Sequence, residues 1–300
     1  MKAGSIARIA LIGAGVALLA VTVPVVWLKA HENELVFAAE RSRDDLLSAP
    51  PADAERVAVP VPNSVALAGL VYRADGAADT GFWVLQLHGN ADSAFAAGQV
   101  GRCEALRRSG FNVLAIDYSG FGLTPGNASE RGMYEDTEAA YQALLARGVP
   151  PNRIILLGHS LGSGPAVLLA TRHEVAALVL FGAFTSIPDA AADRYPFLPV
   201  RLAVSVQFDS LARIGAVHVP VVIAHSRADT VVPYSHALRL LAAANEPRHL
   251  ITFDAPSDDG FGGHVASLFD HVDVLRSALV ELIPGLPPPG LPPPKLLLRL

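Results

Sequence analysis

Cysteine is almost missing: Cys103 stands alone among 300 residues, so no intramolecular disulfide can form. No His-bearing motif surrounds it, so a small buried apolar residue fits better than a nucleophilic thiol. No Cys/His cluster has zinc spacing, and neither a metal nor an organic cofactor is expected. Charge is also scarce, at 17% of residues, with a net charge of −5. No basic run exceeds two residues, which argues against a nucleic-acid partner. Hydrophobic residues reach 51%, which excludes a disordered chain and supplies a sizeable core. No internal repeat is visible.

Long polar stretches are absent near the start. Residues 9–28 are apolar except for Thr22, and at ~1.5 Å per residue such a helix matches the ~30 Å hydrocarbon core. The run exceeds the apolar length of a secretory signal, and no small-x-small cleavage site comes after it. Residues 1–30 are therefore expected to be an uncleaved signal anchor, with 31–55 a linker. Gly13-Ala14-Gly15 hints at a dinucleotide fingerprint, but the third glycine and the preceding strand are lacking. Lys2 and Arg8 before the span nearly balance Lys29, Arg41 and Arg43 after it. Signal anchors translocate the chain on their C-terminal side, so the residues beyond 30 are expected on the extracytoplasmic side. Residues 284–300 form a Pro-rich tail.

Between these ends, short apolar runs alternate with helical patterns, which predicts an α/β fold with a mostly parallel sheet. Runs 56–61 and 65–73 read as an opening hairpin. Further strands are expected over 82–87, 112–116, 153–157, 177–181, 219–224 and 249–253, eight in all. Helices are expected over 94–108, 129–147 (capped by Ser129), 163–173, 234–245 and 265–282. The single domain spans 56–283, with a short cap over 182–214.

Gly158-His159-Ser160-Leu161-Gly162 succeeds the apolar run Ile154-Ile155-Leu156-Leu157 and precedes an apolar helix. That is the setting of a sharp strand–Ser–helix turn, in which small flanking residues avoid collisions. A serine hydroxyl is a weak nucleophile and needs a base, which in turn needs an orienting acid. In the chain order serine, acid, histidine, the acid falls in the turn after a late strand, where Asp229 sits. The base falls in the loop after the last strand, where three glycines precede His264. His249 and His271 lie within regular elements and are poorer candidates. Asp254, Asp258 and Asp259 crowd too close to His264. Acyl transfer also needs oxyanion donors: the backbone N–H of Leu161, and that of Asn90 in His88-Gly89-Asn90, with Ala91 its rival.

Several collinear blocks carry a family resemblance. They are Leu87-His88-Gly89-Asn90-Ala91, Asp117-Tyr118-Ser119-Gly120-Phe121-Gly122, Ser129-Glu130-Arg131-Gly132-Met133-Tyr134-Glu135-Asp136, Gly158–Gly162, Phe184-Thr185-Ser186, Phe208-Asp209-Ser210, and Asp229 with Val232-Pro233. Together they cover residues 32–282. The chain resembles the membrane-anchored branch of the α/β-hydrolases that includes palmitoyl-protein thioesterase-like and lipid-ester hydrolases. The resemblance implies the α/β-hydrolase fold, a triad of Ser160, Asp229 and His264, and oxyanion donors at Asn90 and Leu161. It implies a structural role for Asp117. Ser119 stands where Arg is common, and Ser226 where Gly is common.

The expected activity is hydrolysis of an ester or thioester of an acyl or lipid-like substrate through an acyl-enzyme on Ser160. A peptidase or amidase on the same fold is a second reading, and a noncatalytic membrane-tethered binding protein a third. A dehalogenase is disfavoured, because Ser160 occupies the place of the carboxylate those members use.

Overall fold

The computed structural model describes residues 3–43, 46, 52, 54–254, 260–265 and 267–288. Asp258, Asp259 and most of the Pro-rich tail, from residue 289, lie outside the described residues. Among the described residues, eight strands form one sheet: β1 (Ala54–Val59), β2 (Leu67–Tyr72), β3 (Trp83–Leu87), β4 (Asn112–Ile116), β5 (Ile154–His159), β6 (Ala177–Phe181), β7 (Val221–Ser226) and β8 (Arg248–Phe253). Their spatial order is β1-β2-β4-β3-β5-β6-β7-β8. β1 runs antiparallel to β2, and β2 antiparallel to β4; every later pairing is parallel. Strands β3 to β7 are buried at every position. That burial explains their near-continuous apolar sequences, because helices cover both faces of a parallel sheet.

The helices are α1 (Ala3–Ala30), α2 (Glu32–Val36), α3 (Ala97–Arg108), α4 (Glu130–Ala146), α5 (Ser163–Ala170), α6 (Ile187–Arg194), α7 (Val200–Ala203), α8 (Ser210–Ile214), α9 (Ser235–Ala243), α10 (Ser267–Asp270) and α11 (Val272–Leu282). One core contains Met133 and Leu144 of α4, Val167 of α5 and Leu240 of α9. The opposite core contains Cys103 and Leu106 of α3, Phe269 of α10 and Leu279 of α11. Cys103 is fully buried, and burial pushes its thiol up to about 12.

Some elements differ from expectation for identifiable reasons. The helix expected from residue 94 begins at Ala97, because Ser93 Oγ and the Ala94 N–H both donate to Asp117 Oδ1, at 2.8 and 2.7 Å. The Leu123 N–H donates to Asp117 Oδ2 at 2.7 Å, so this buried carboxylate ties two turns together. The helix expected over 265–282 breaks at His271, whose backbone leaves the helical region. The break lets Leu268 and Phe269 reach the core while α11 takes a separate line. Strand β7 runs to Ser226, two residues beyond expectation. Ser129 caps α4 by accepting from the Gly132 N–H at 3.0 Å.

Within α1, Leu11–Ala30 has a mean hydropathy of 2.3 and none of it is buried, so it is long and apolar enough to cross a membrane. The segment after it is hydrogen-bonded to the body of the fold. Arg43 donates to the Gly120 and Gly122 carbonyls, each at 3.1 Å. The Gly122 N–H donates to Ser42 Oγ at 2.7 Å.

Asp136 of α4 is 2% exposed and accepts from the Ser119 N–H and Oγ, at 2.7 and 3.1 Å. Burial raises its carboxyl to about 6, against the opposing pull of the Ser119 hydrogen bonds. A raised folded value favours the protonated form, so stability falls as pH climbs from the ordinary carboxylate range through about 6. Asp136→Asn should therefore gain on wild type between pH 4 and pH 7, by on the order of 2 kcal/mol in urea titrations. An unchanged difference between the two pH values would contradict this account.

Candidate active site

Ser160 stands between β5 and α5 with φ of +49°. A non-glycine residue held there costs roughly 1–3 kcal/mol unless its surroundings over-determine it. They do. A Cβ on Gly162 would lie 2.3 Å from the Leu87 carbonyl oxygen and 2.6 Å from that of His88. One on Gly158 would lie 2.7 Å from the Gly162 carbonyl oxygen. The backbone turns back on itself so tightly that only glycine fits on either side, and the Ser160 side chain is left projecting.

The three residues expected to act together are in contact. Ser160 Oγ lies 2.9 Å from His264 Nε2, and His264 Nδ1 lies 2.7 Å from Asp229 Oδ2. A carboxylate only accepts, so Nδ1 carries the proton and Nε2 is free to accept from the serine hydroxyl. The other oxygen of Asp229 accepts from the Val231 and Val232 N–H groups, both at 2.8 Å. Burial alone would raise the Asp229 carboxyl. Hydrogen bonds from His225, His264 and the Val232 N–H outweigh it and hold the acid well below the usual carboxylate range. The rival Asp254 is exposed and pairs with Arg227 at 3.1 Å.

Two further histidines support this line, and sequence reading missed both. His225 is fully buried at the end of β7, with Nε2 2.9 Å from the Val232 carbonyl and 3.2 Å from Asp229 Oδ2. Both partners accept, so Nε2 carries the proton. Its signal is its place four residues before Asp229, and an expected strand end at 224 leaves it outside the sheet. His159 points Nε2 at the His264 carbonyl oxygen, 2.9 Å away, and stacks on Phe181. Burial, reinforced by His264, lowers its pKa well below the ordinary imidazole value, so a neutral ring donates to the backbone of His264.

Asn90 and Leu161 both border the space at Ser160. The Asn90 side chain bridges to the N-terminal segment: Nδ2 donates to the Val36 carbonyl at 2.9 Å, and Oδ1 accepts from the Ala38 N–H at 2.8 Å. Oδ1 also accepts from the Ala91 N–H at 3.0 Å, which commits that rival donor. Two cavities meet at Ser160. One, of about 410 Å³, reaches Asp92, Arg102, Phe261 and His264. The other, of about 320 Å³, runs between α6 and the junction of α1 with α2.

Comparison with known proteins agrees with this architecture. The family model described as serine aminopeptidase, S33, matches residues 82–208. An uncharacterized protein of Mycobacterium tuberculosis is 37% identical over 202 residues, covering 66% of this chain and 69% of that protein. Human alpha/beta hydrolase domain-containing protein 17C is 39% identical over 131 residues, 43% of this chain and 38% of that one. Among solved structures, an alpha-beta hydrolase from Vibrio vulnificus superposes with a TM-score of 0.67 at 18% identity, over 83% of this chain and 92% of the other. An esterase of Pyrococcus furiosus gives 0.61 at 18% identity, over 79% and 97%. The chain belongs to the α/β-hydrolase family.

The tight turn yields a direct contrast. Gly162→Ala should destabilise the protein by on the order of 2 kcal/mol, because backbone must move. Gly101→Ala, in α3 with nothing near its missing Cβ, should stabilise by ~1 kcal/mol. Thermal unfolding of both variants checks this, and equal effects would contradict the close packing.

Proposed function

We propose that this α/β-hydrolase is a serine hydrolase that cleaves an ester or thioester, with Ser160 as nucleophile, His264 as base and Asp229 as acid. The carrying observation is the unbroken hydrogen-bond line from Ser160 Oγ through His264 to Asp229, at 2.9 and 2.7 Å. Ser160 Oγ attacks the carbonyl carbon while His264 Nε2 takes its proton. Asp229, held charged, fixes the ring and stabilises its cation. The backbone N–H groups of Asn90 and Leu161 receive the developing oxyanion; among the described residues neither has another acceptor. His264 then hands its proton to the departing alcohol or thiol. Water, deprotonated by the same nitrogen, releases the acid from Ser160.

Esterases among the structural relatives support the ester reading. The aminopeptidase description of the matching family model favours an amidase or peptidase as the second reading. Matched ester and amide substrates distinguish the two. The apolar stretch Leu11–Ala30 supports a membrane-anchored enzyme, with the hydrolase body on the extracytoplasmic side.

Full-length protein in detergent should hydrolyse p-nitrophenyl esters. Ser160→Ala should reduce turnover to background, and Asp229→Asn should lower kcat by about 10⁴-fold. Wild-type turnover by Ser160→Ala would end this reading.

A further inference from the structure

Between the end of β3 at Leu87 and the start of α3 at Ala97, the chain passes directly against the nucleophile turn. A Cβ on Gly89 would lie 3.0 Å from His159 Nδ1 and 3.3 Å from Ser160 Cβ. Ala91 has a φ of +52°, which a non-glycine residue keeps only where its surroundings impose it. Regular structure does not impose it. Among the described residues, no backbone–backbone hydrogen bond reaches Gly89, Asn90, Ala91 or Asp92. Two side chains fasten this loop instead. Asp92 pairs with Arg102 of α3, and Asn90 reaches across to the segment that follows the apolar helix.

Resting on the serine-hydrolase reading above, we propose that residues 32–43 are a strap that belongs to the active site: through the Asn90 side chain they set the position of the Asn90 backbone N–H, the oxyanion donor. Asn90 is then a donor by its backbone and a positioning residue by its side chain. An amide suits that task, because it donates and accepts at once. Its Nδ2 meets the Val36 carbonyl, and its Oδ1 takes the Ala38 N–H two residues further on. The same oxygen takes the Ala91 N–H, so the grip on the strap also bends the loop.

The strap can serve as a reference because it is fixed independently of Asn90. Glu32 is 7% exposed, and its carboxylate accepts from the Ser205 N–H, from Ser205 Oγ at 2.6 Å and from the Val206 N–H at 2.7 Å. The buried Phe37 ring meets Phe208 edge-on, with centroids 6.2 Å apart. Phe208 in turn fills the space beside Gly164 of α5, where a Cβ would run into its ring. At the far end, Ser42 and Arg43 bond to the backbone of Gly120 and Gly122. The strap is thus packed, through Phe208, on the helix that follows Ser160. Oxyanion donor and nucleophile share one frame, and loosening the strap costs turnover while the triad stays intact.

The test uses the full-length protein in detergent, a p-nitrophenyl ester and an alkyl trifluoromethyl ketone. Ser160 Oγ bonds to the ketone carbon, the carbonyl π pair moves onto oxygen and the serine proton passes to His264 Nε2. The adduct carries an oxyanion, and no group leaves. Asn90→Ala should lower kcat/KM by about 10- to 100-fold, chiefly in kcat, and raise the ketone Ki by the same factor. Asn90→Asp, which keeps the acceptor and loses the donor, should fall between Asn90→Ala and wild type. Ala38→Pro removes the N–H that Oδ1 accepts and leaves Asn90 itself unaltered. It should lower kcat/KM in the same sense, and combined with Asn90→Ala it should add no further loss. Should Asn90→Ala fail to fold, Asn90→Asp and Ala38→Pro carry the same comparison of kcat/KM with Ki. Turnover within about twofold of wild type, a fall in kcat/KM with no matching rise in Ki, or additive losses in the double variant would overturn the proposal. No ketone adduct on Ser160 of the wild type would instead overturn the hydrolase reading itself.

Discussion

A serine backbone at φ of +49° is unfavourable in isolation, and the site depends on its being held there. β5 delivers the chain into the turn between two parallel neighbours, β3 and β6. Gly162 then packs against the carbonyls that end β3. Any side chain at that point would push the turn off the sheet. The burial of β5 on both faces supplies the rigidity, so the strain is stored in the most over-determined part of the fold. The hydroxyl is thereby held beside His264, which is the condition that the proposed nucleophilic attack requires.

Around that fixed point the electrostatics are arranged in series. Asp229 is buried but charged, because two backbone N–H groups and two histidines donate to it. Its charge sets the His264 tautomer. His159 is buried and neutral, and steadies the His264 backbone from the opposite side. Gly182, with φ of +56°, lies against the His264 ring, where a Cβ would be 3.0 Å from two ring atoms. The His264 ring is therefore held by the Asp229 carboxylate, a donor to its own carbonyl and a side-chain-free floor.

Much of this was legible in the sequence because it rests on local patterns. Apolar runs bounded by turns marked all eight strands, and the glycines around Ser160 marked the turn. Chain order and position after a late strand single out Asp229 and His264, which the fold brings to Ser160. What escaped was set by contacts distant in sequence. His225 looked like a loop residue, because strand ends are fixed by neighbouring strands rather than by local propensity. The break at His271 lets α10 and α11 enter the same core along separate lines, which no local pattern encodes. Most of all, residues 32–43 looked like the start of a linker. Their fixation depends on Glu32 meeting residues 205 and 206 and on Asn90 meeting Val36 and Ala38, and no local pattern encodes such pairings.

The central claim, that Ser160 forms a covalent acyl intermediate, is tested most directly by acid-quenching the full-length protein during ester turnover and mapping the trapped species by peptide mass spectrometry. The account predicts the acyl mass on the peptide bearing Ser160. An acyl group on another residue, or sustained turnover with no covalent species at any quench time, would contradict it.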